Sequence, residues 1–189
     1  MRKFLFILAL SSLSCNKEVK NTESENGVIS ENDLYSVINS LQNCAPKGTI
    51  YYSENGTPYD KNFIETYKLD SIFSTEDVDF FRKQMKKATD FKLNIRKTKC
   101  DRIITKHNIN KMRLESKTDE IFWEKIRMQY GPLTCLSYIK LPIFSKDKNY
   151  VIFSSNYSTG PHSLGGSIEI YKKINNKWKR FHSLSGWVS

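Results

Sequence analysis

Four runs near the C-terminus, Cys135 to Leu141, Tyr150 to Tyr157, Gly166 to Ile174 and Lys177 to Leu184, constrain the fold of this chain most. Each is rich in β-branched or aromatic residues. Turn formers separate them: Ser145-Lys146-Asp147-Lys148-Asn149, then Thr159-Gly160-Pro161, then Asn175-Asn176. Short neighbouring strands joined in this way make an antiparallel meander. The register of the last hairpin turns on its loop. A two-residue loop, Asn175-Asn176, sets Glu169 opposite His182, whereas a three-residue loop through Lys177 sets Ile170 there, and the one-residue slip exchanges the faces. The second register gathers Ile168, Ile170, Ile174, Trp178 and Leu184 on one face, which makes the better core.

Upstream the period changes from two to near 3.6. Ser30-Glu31-Asn32-Asp33 followed by Leu34, Val37, Ile38 and Leu41 predicts a capped helix of about three turns. Ser74 can cap a second, with acids in its first turn and Val78, Phe81, Met85 and Ala88 on one stripe. A third runs from Asp119 to Tyr130 with Phe122, Ile126 and Tyr130 at four-residue intervals, and Gly131-Pro132 stops it. Gly48 to Tyr52 predicts a short strand, with Asn55-Gly56 and Pro58 turning the chain after it. The segment from Phe91 to His107 allows short strands at Leu93 with Ile95 and at Ile103-Ile104. Helices in the first two thirds and strands in the last third give an α+β class: N-terminal helices packed on a C-terminal antiparallel β-meander, in a single domain over residues 30–189.

The beginning of the chain is different in kind. MRKFLFILALSSLS has a charged start, Arg2 and Lys3, then an apolar run of ten residues from Phe4 to Leu13. That is the layout of an export signal, and the run is about half the roughly 20 residues needed to span a hydrocarbon core. Leu10-Ser11-Ser12-Leu13-Ser14-Cys15-Asn16 resembles the lipobox of bacterial lipoproteins, with a small residue before the cysteine that becomes the new N-terminus. The resemblance implies a signal peptide over residues 1–14, lipid attachment at Cys15 with acyl groups such as palmitate, and a place in the bacterial cell envelope, periplasmic or surface-exposed. Two or more acyl chains would keep the protein on a membrane. Residues 15–29 then form the lipidated cysteine and a polar tether with almost nothing to bury. The tail is similar to the C-terminal ends of small uncharacterised bacterial lipoproteins, on Leu141-Pro142-Ile143-Phe144-Ser145-Lys146-Asp147, Asn176-Lys177-Trp178-Lys179 and Gly186-Trp187-Val188-Ser189. That similarity carries no functional residue with it.

Loss of Arg2 and Lys3 takes the net charge from +10 to +8, so the mature chain stays basic. Nine Lys or Arg against Asp90 and Asp101 between Arg82 and Arg102 hold a local +7. Lysine predominates and Phe91 is the one aromatic residue inside, so base stacking has little support and no nucleic acid is expected. Weak contact with an anionic surface fits the stretch better. Cys44, Cys100 and Cys135 allow at most one intrachain disulfide, and none has metal-ligand spacing. His107, His162 and His182 are far apart and form no metal-binding pair. No metal or other cofactor is expected.

One string resembles the nucleophile elbow of α/β-hydrolase lipases: His162-Ser163-Leu164-Gly165-Gly166. The elbow needs glycine two places before the serine, where Pro161 stands, and a helix after it, where Ser167 to Tyr171 alternates as a strand. A glycine-rich hairpin loop accounts for it better, and no catalytic residue is assigned. The expected function is a non-catalytic binding or interaction module at the envelope. The alternatives are a small envelope hydrolase whose residues converge only in the fold, and an inhibitor or immunity-type protein acting through the basic stretch.

Overall fold

Hydroxyl caps start the helices. Ser30, Ser74, Thr105 and Thr118 each accept the backbone N–H three residues on, from Asp33, Asp77, Asn108 and Ile121, which satisfies donors the first turn leaves free. The helices they open are α1 (Glu31–Leu41), α3 (Thr75–Lys87), α4 (Lys106–Leu114) and α5 (Asp119–Tyr130), with a single turn, α2 (Phe63–Thr66), before α3. The computed structural model describes residues 29–41, 49–52, 59–88, 91, 93–99 and 103–189. The signal, Cys15, the tether to Val28, Cys44, Cys100, the Asn55-Gly56-Pro58 turn, and Asp90, Lys92, Asp101 and Arg102 of the basic stretch lie outside these residues.

The strands are β1 (Thr49–Tyr52), β2 (Ile103–Ile104), β3 (Cys135–Ile139), β4 (Ile143–Phe144), β5 (Tyr150–Gly160), β6 (Ser163–Ile174) and β7 (Lys177–Val188). Among the described residues they form one sheet in the order β2-β1-β3-β5-β6-β7, with β4 also on β5. β3 to β7 are antiparallel, as the α+β reading requires, while β1 adds to β3 and β2 to β1 in parallel. The first run becomes β3, and β4 follows beyond it after Pro142, which has no N–H for the ladder. Leu93 and Ile95 make no strand: residues 95–97 form a 3₁₀ turn.

Cross-strand partners share a face, so the register divides the core. Ile139, Phe144, Val151 and Phe153 lie on one face with Leu34, Tyr35, Val37 and Ile38 of α1. Ile143, Ile152, Ile168 and Ile170 lie on the other with Phe63, Ile64, Val78 and Phe81 of α2 and α3. Leu136 shares that second face and takes Ile109, Phe122, Trp123 and Ile126 of α4 and α5. One helix therefore covers one face, and four cover the other.

The last hairpin corrects the expected loop. Asn175 and Asn176, at φ 50° and 58°, form a two-residue turn with Ile174 opposite Lys177, the positive φ pair that matches strand twist. Ile170 still faces His182, because Phe181 is an extra residue in β7, and Leu184 is a second. Before the first bulge Trp178 falls on the face of Tyr171, where its ring packs 6.2 Å from that of Phe144. Ile174 stays exposed. The five apolar residues expected on one face are thus divided by the bulge.

Gln84 joins α3 to the sheet. It is buried, its Nε2 donates to the Phe144 carbonyl at 2.7 Å, and its Oε1 accepts the Phe144 N–H at 2.9 Å. The carboxamide takes the place of a neighbouring strand along the outer side of β4. Replacing it by alanine strands a buried donor and a buried acceptor, each worth about 1–3 kcal/mol when unmade. Gln84→Ala is expected to cost about 3 kcal/mol in chemical denaturation, well beyond an exposed change such as Lys83→Ala.

The β4–β5 turn is held from both sides. Lys146 pairs with Glu76 at 2.6 Å and its N–H meets Asp77, while Lys148 pairs with Asp33 at 3.0 Å. Burial raises the Asp33 pKa, but hydrogen bonds from Ser30 and Lys148 outweigh it and leave the carboxyl below its ordinary value. A lowered folded value gives stability that is present in full above the unfolded pKa of about 3.9 and lost as pH falls through the folded one. Melting temperature should therefore drop between about pH 4 and pH 2, and Asp33→Asn should flatten that part of the profile.

Candidate functional site

Beyond the reach of α1 the first face of the sheet changes from apolar to polar. Its rows across β5, β6 and β7 read Val151, Tyr171, Arg180; then Phe153, Glu169, Ser183; then Ser155, Ser167, Gly186; then Tyr157, Gly165, Val188. Period-two alternation produces this surface: the residues between these point to the helices on the other side. Ser155, Tyr157, Ser167, Gly186 and Val188 line a depression of about 390 Å³, with Gly166 and Trp187 completing its floor.

Glu169 lies in the next row inward, opposite Phe153 and outside the residues that line the depression. The residue is 8% exposed, its Oε1 accepts from the Ser183 hydroxyl at 3.3 Å, and its Oε2 has no hydrogen-bond partner among the described residues. A buried carboxylate oxygen left in this way is a costly arrangement. Beside it, burial and the nearby Glu169 push the Tyr171 phenol above its ordinary value, with Arg180 opposing. At the outer end the Tyr157 ring lies flat on Gly165, where a Cβ would sit 2.7 Å from the phenol oxygen. Trp187 covers Gly166 in the same manner on the opposite face, with a ring carbon 2.5 Å from where a Cβ would be.

The residues considered in the sequence take other places. His182 lies opposite Ile170, on the face away from Glu169, whose cross-strand partner is Ser183. His107 on α4, His162 in the β5–β6 turn and His182 are all exposed, and among the described residues no three His, Cys, Asp or Glu side chains gather closely enough to hold a metal ion. The Cys135 thiol is half-buried, and burial pushes its pKa up, away from thiolate reactivity.

The basic stretch is divided. Lys83, Lys86 and Lys87 are exposed on α3, whereas Arg82 pairs with Asp79 and Glu65. Lys97 pairs with Glu31 of α1 and lies over the Tyr35 ring, and Asn39 of α1 bonds the backbone of Lys97 and Lys99. Its two described parts therefore belong to opposite sides of the sheet.

The polar face was missed in the sequence, although a signal for it exists. Small or hydroxylated residues recur at every second position of the paired strands, but their alignment depends on the register. Compared with known proteins, the chain matches no family model, no curated protein and no solved structure.

Ser163 opens β6 and its hydroxyl lies 2.7 Å from that of Thr159. The strand that follows is the opposite of the helix a nucleophile elbow needs. Ser163→Ala should change stability by no more than about 0.5 kcal/mol, as at other exposed positions. A fluorophosphonate probe should label neither protein.

Proposed function

We propose that this chain is a bacterial envelope lipoprotein, anchored through a lipidated Cys15 after loss of residues 1–14, whose domain over residues 30–189 is a non-catalytic binding module. The observation that carries the binding reading is the polar depression of about 390 Å³ lined by Ser155, Tyr157, Ser167 and Gly186. It offers hydroxyls and an exposed aromatic ring around a concave floor, and such convergence of a few polar groups is how binding sites orient ligands. Nucleophilic catalysis would need a nucleophile held by a base, and His107, His162 and His182 are exposed, with His182 on the face of β7 opposite that of Glu169. The tether lets the domain stand off the membrane on its periplasmic or outer side.

Mass spectrometry of membrane-extracted protein should find a mature chain beginning at an acylated Cys15, and Cys15→Ser should move it to the soluble fraction. An unmodified N-terminus at another residue would sink the anchor.

The same reading includes weak contact with anionic lipid through Lys83, Lys86 and Lys87. The unlipidated chain from Asn16 should bind anionic vesicles at low salt and leave them at about 0.5 M, where the Debye length is only a few ångströms. Changing the three lysines to Gln should abolish binding with little effect on melting, since exposed charges contribute little to folding. Changing Lys111, Lys177 and Lys179 is the control; equal loss from both sets would show that net charge alone is at work.

A further inference from the structure

We propose that the outer edge of β7 from Lys177 to Phe181 docks an acidic, extended segment of a partner protein, which joins the sheet there as a further strand. This stretch lies at the other end of β7 from the depression lined by Gly186, Trp187 and Val188, so the two surfaces stand or fall separately.

The backbone supplies half of the site. β7 ends the sheet order and pairs with β6 alone among the described residues, so alternate N–H and C=O groups along it point away from the sheet. From Lys177 to Arg180 its register against β6 is unbroken, and the bulge at Phe181 ends that run. A strand laid there finds a short regular ladder.

Charge selects the occupant. The segment from Ile170 to Ser189 holds Lys172, Lys173, Lys177, Lys179 and Arg180 and no Asp or Glu. Elsewhere cations meet acids of the chain, as Lys97 meets Glu31, Arg113 meets Asp119 and Lys146 meets Glu76. Lys177, Lys179 and Arg180 are exposed, and among the described residues none of the three forms an ion pair. Such an edge repels a second copy, whose own cations would stand opposite. It attracts a strand of the opposite sign. An anionic lipid surface has the charge but no row of backbone groups to pair with the edge.

The side chains set the pattern. Lys172 is the cross-strand partner of both Tyr150 and Lys179, so Lys179, and Lys177 two residues before it, lie on the face of Tyr150. The Phe181 ring joins them there, 5.4 Å from the Tyr150 ring and 53% exposed. Charges alone suffice to guard an edge against aggregation; an exposed aromatic ring in line with them offers apolar area for a partner to bury. The complementary segment alternates, with two acids and then an apolar residue on this side.

The test is NMR and calorimetric titration of the mature lipidated chain, in a neutral detergent, with the capped peptide Thr-Glu-Thr-Glu-Thr-Phe-Thr and with the same residues in reverse order, which covers both strand directions. One of the two should bind at or below about 1 mM, slow hydrogen exchange at amides of residues 177–181, and weaken about tenfold at about 0.5 M salt. Lys177→Glu with Lys179→Glu should weaken it about tenfold or more and create affinity for the peptide carrying Lys in place of Glu, whereas Lys83→Glu with Lys86→Glu, the same change in net charge, should stay within about twofold. Both variants should keep the wild-type melting temperature, because exposed charges contribute little to folding. A peptide with proline at its central Thr keeps the charge but cannot make the ladder, and it should not bind. Silence from both peptides, equal binding of the proline version, or equal loss in the two variants overturns the proposal. Displacement of the peptide from the same amides by phosphatidylglycerol added to the micelles assigns the stretch to lipid and overturns it as well.

Discussion

The bond on which the rest of the structure depends is the double contact between Gln84 and the backbone of Phe144. β4 is two residues long and has a strand on one side only, so its second row of backbone groups would be buried without partners. A carboxamide has one donor end and one acceptor end spaced like a peptide unit, and Gln84 presents both. The helix is thereby fixed at a single height on the sheet. That height decides where α3's apolar stripe meets Ile143, Ile152 and Ile170. It also brings its acidic first turn to Lys146, as α1 brings Asp33 to Lys148. Two helix N-termini, each favouring negative charge, close on one lysine-bearing turn from opposite faces.

Much of this was legible wherever one local rule decided the outcome. Ser74 and Thr118 stand where caps are found, and Gly131 takes a positive φ at the end of α5. What escaped was decided by contacts distant in sequence. Gln84, a polar residue on a basic helix, reads as solvent-facing until β4 is placed beside it. Helix α4 shows little periodicity, with Ile109 buried and Met112 half-covered beside it. The register expected between Ile170 and His182 holds, but its cause is a bulge at Phe181, and bulges leave little trace in an alternating pattern. Glu169 was visible as a residue; its burial was not, because that depends on the register of β5, β6 and β7.

The long strands β5, β6 and β7 serve two purposes along one length. Near the β4–β5 turn their residues are large and apolar under helices on both faces, and the packing makes that half rigid. Further out the same strands carry Ser155, Ser167, Gly165 and Gly186, whose small size lowers the floor of one face, while Trp187 and Arg127 keep the other face closed. Arg127 of α5 donates to the Thr159 carbonyl at 3.2 Å and so props the distal hairpin from behind. A surface with a stiff support on its far side can hold a ligand-facing geometry without a ligand, which lowers the ordering cost of binding.

The parallel pairing of β1 with β3 has a consequence for the order in which the molecule forms. Thr49 lies beside Cys135 and Tyr52 beside Tyr138, so β1 must wait for a partner that follows it by most of the domain. The hairpins β5–β6 and β6–β7 close over loops of two residues and need no such wait. Closing a long loop costs more chain entropy than closing a short one, and non-local pairing slows folding. A chain emerging from its N-terminus would thus make β1 first and use it last. The C-terminal hairpins would provide the template, and the earliest strand to be synthesised would join the sheet late, between β3 and β2.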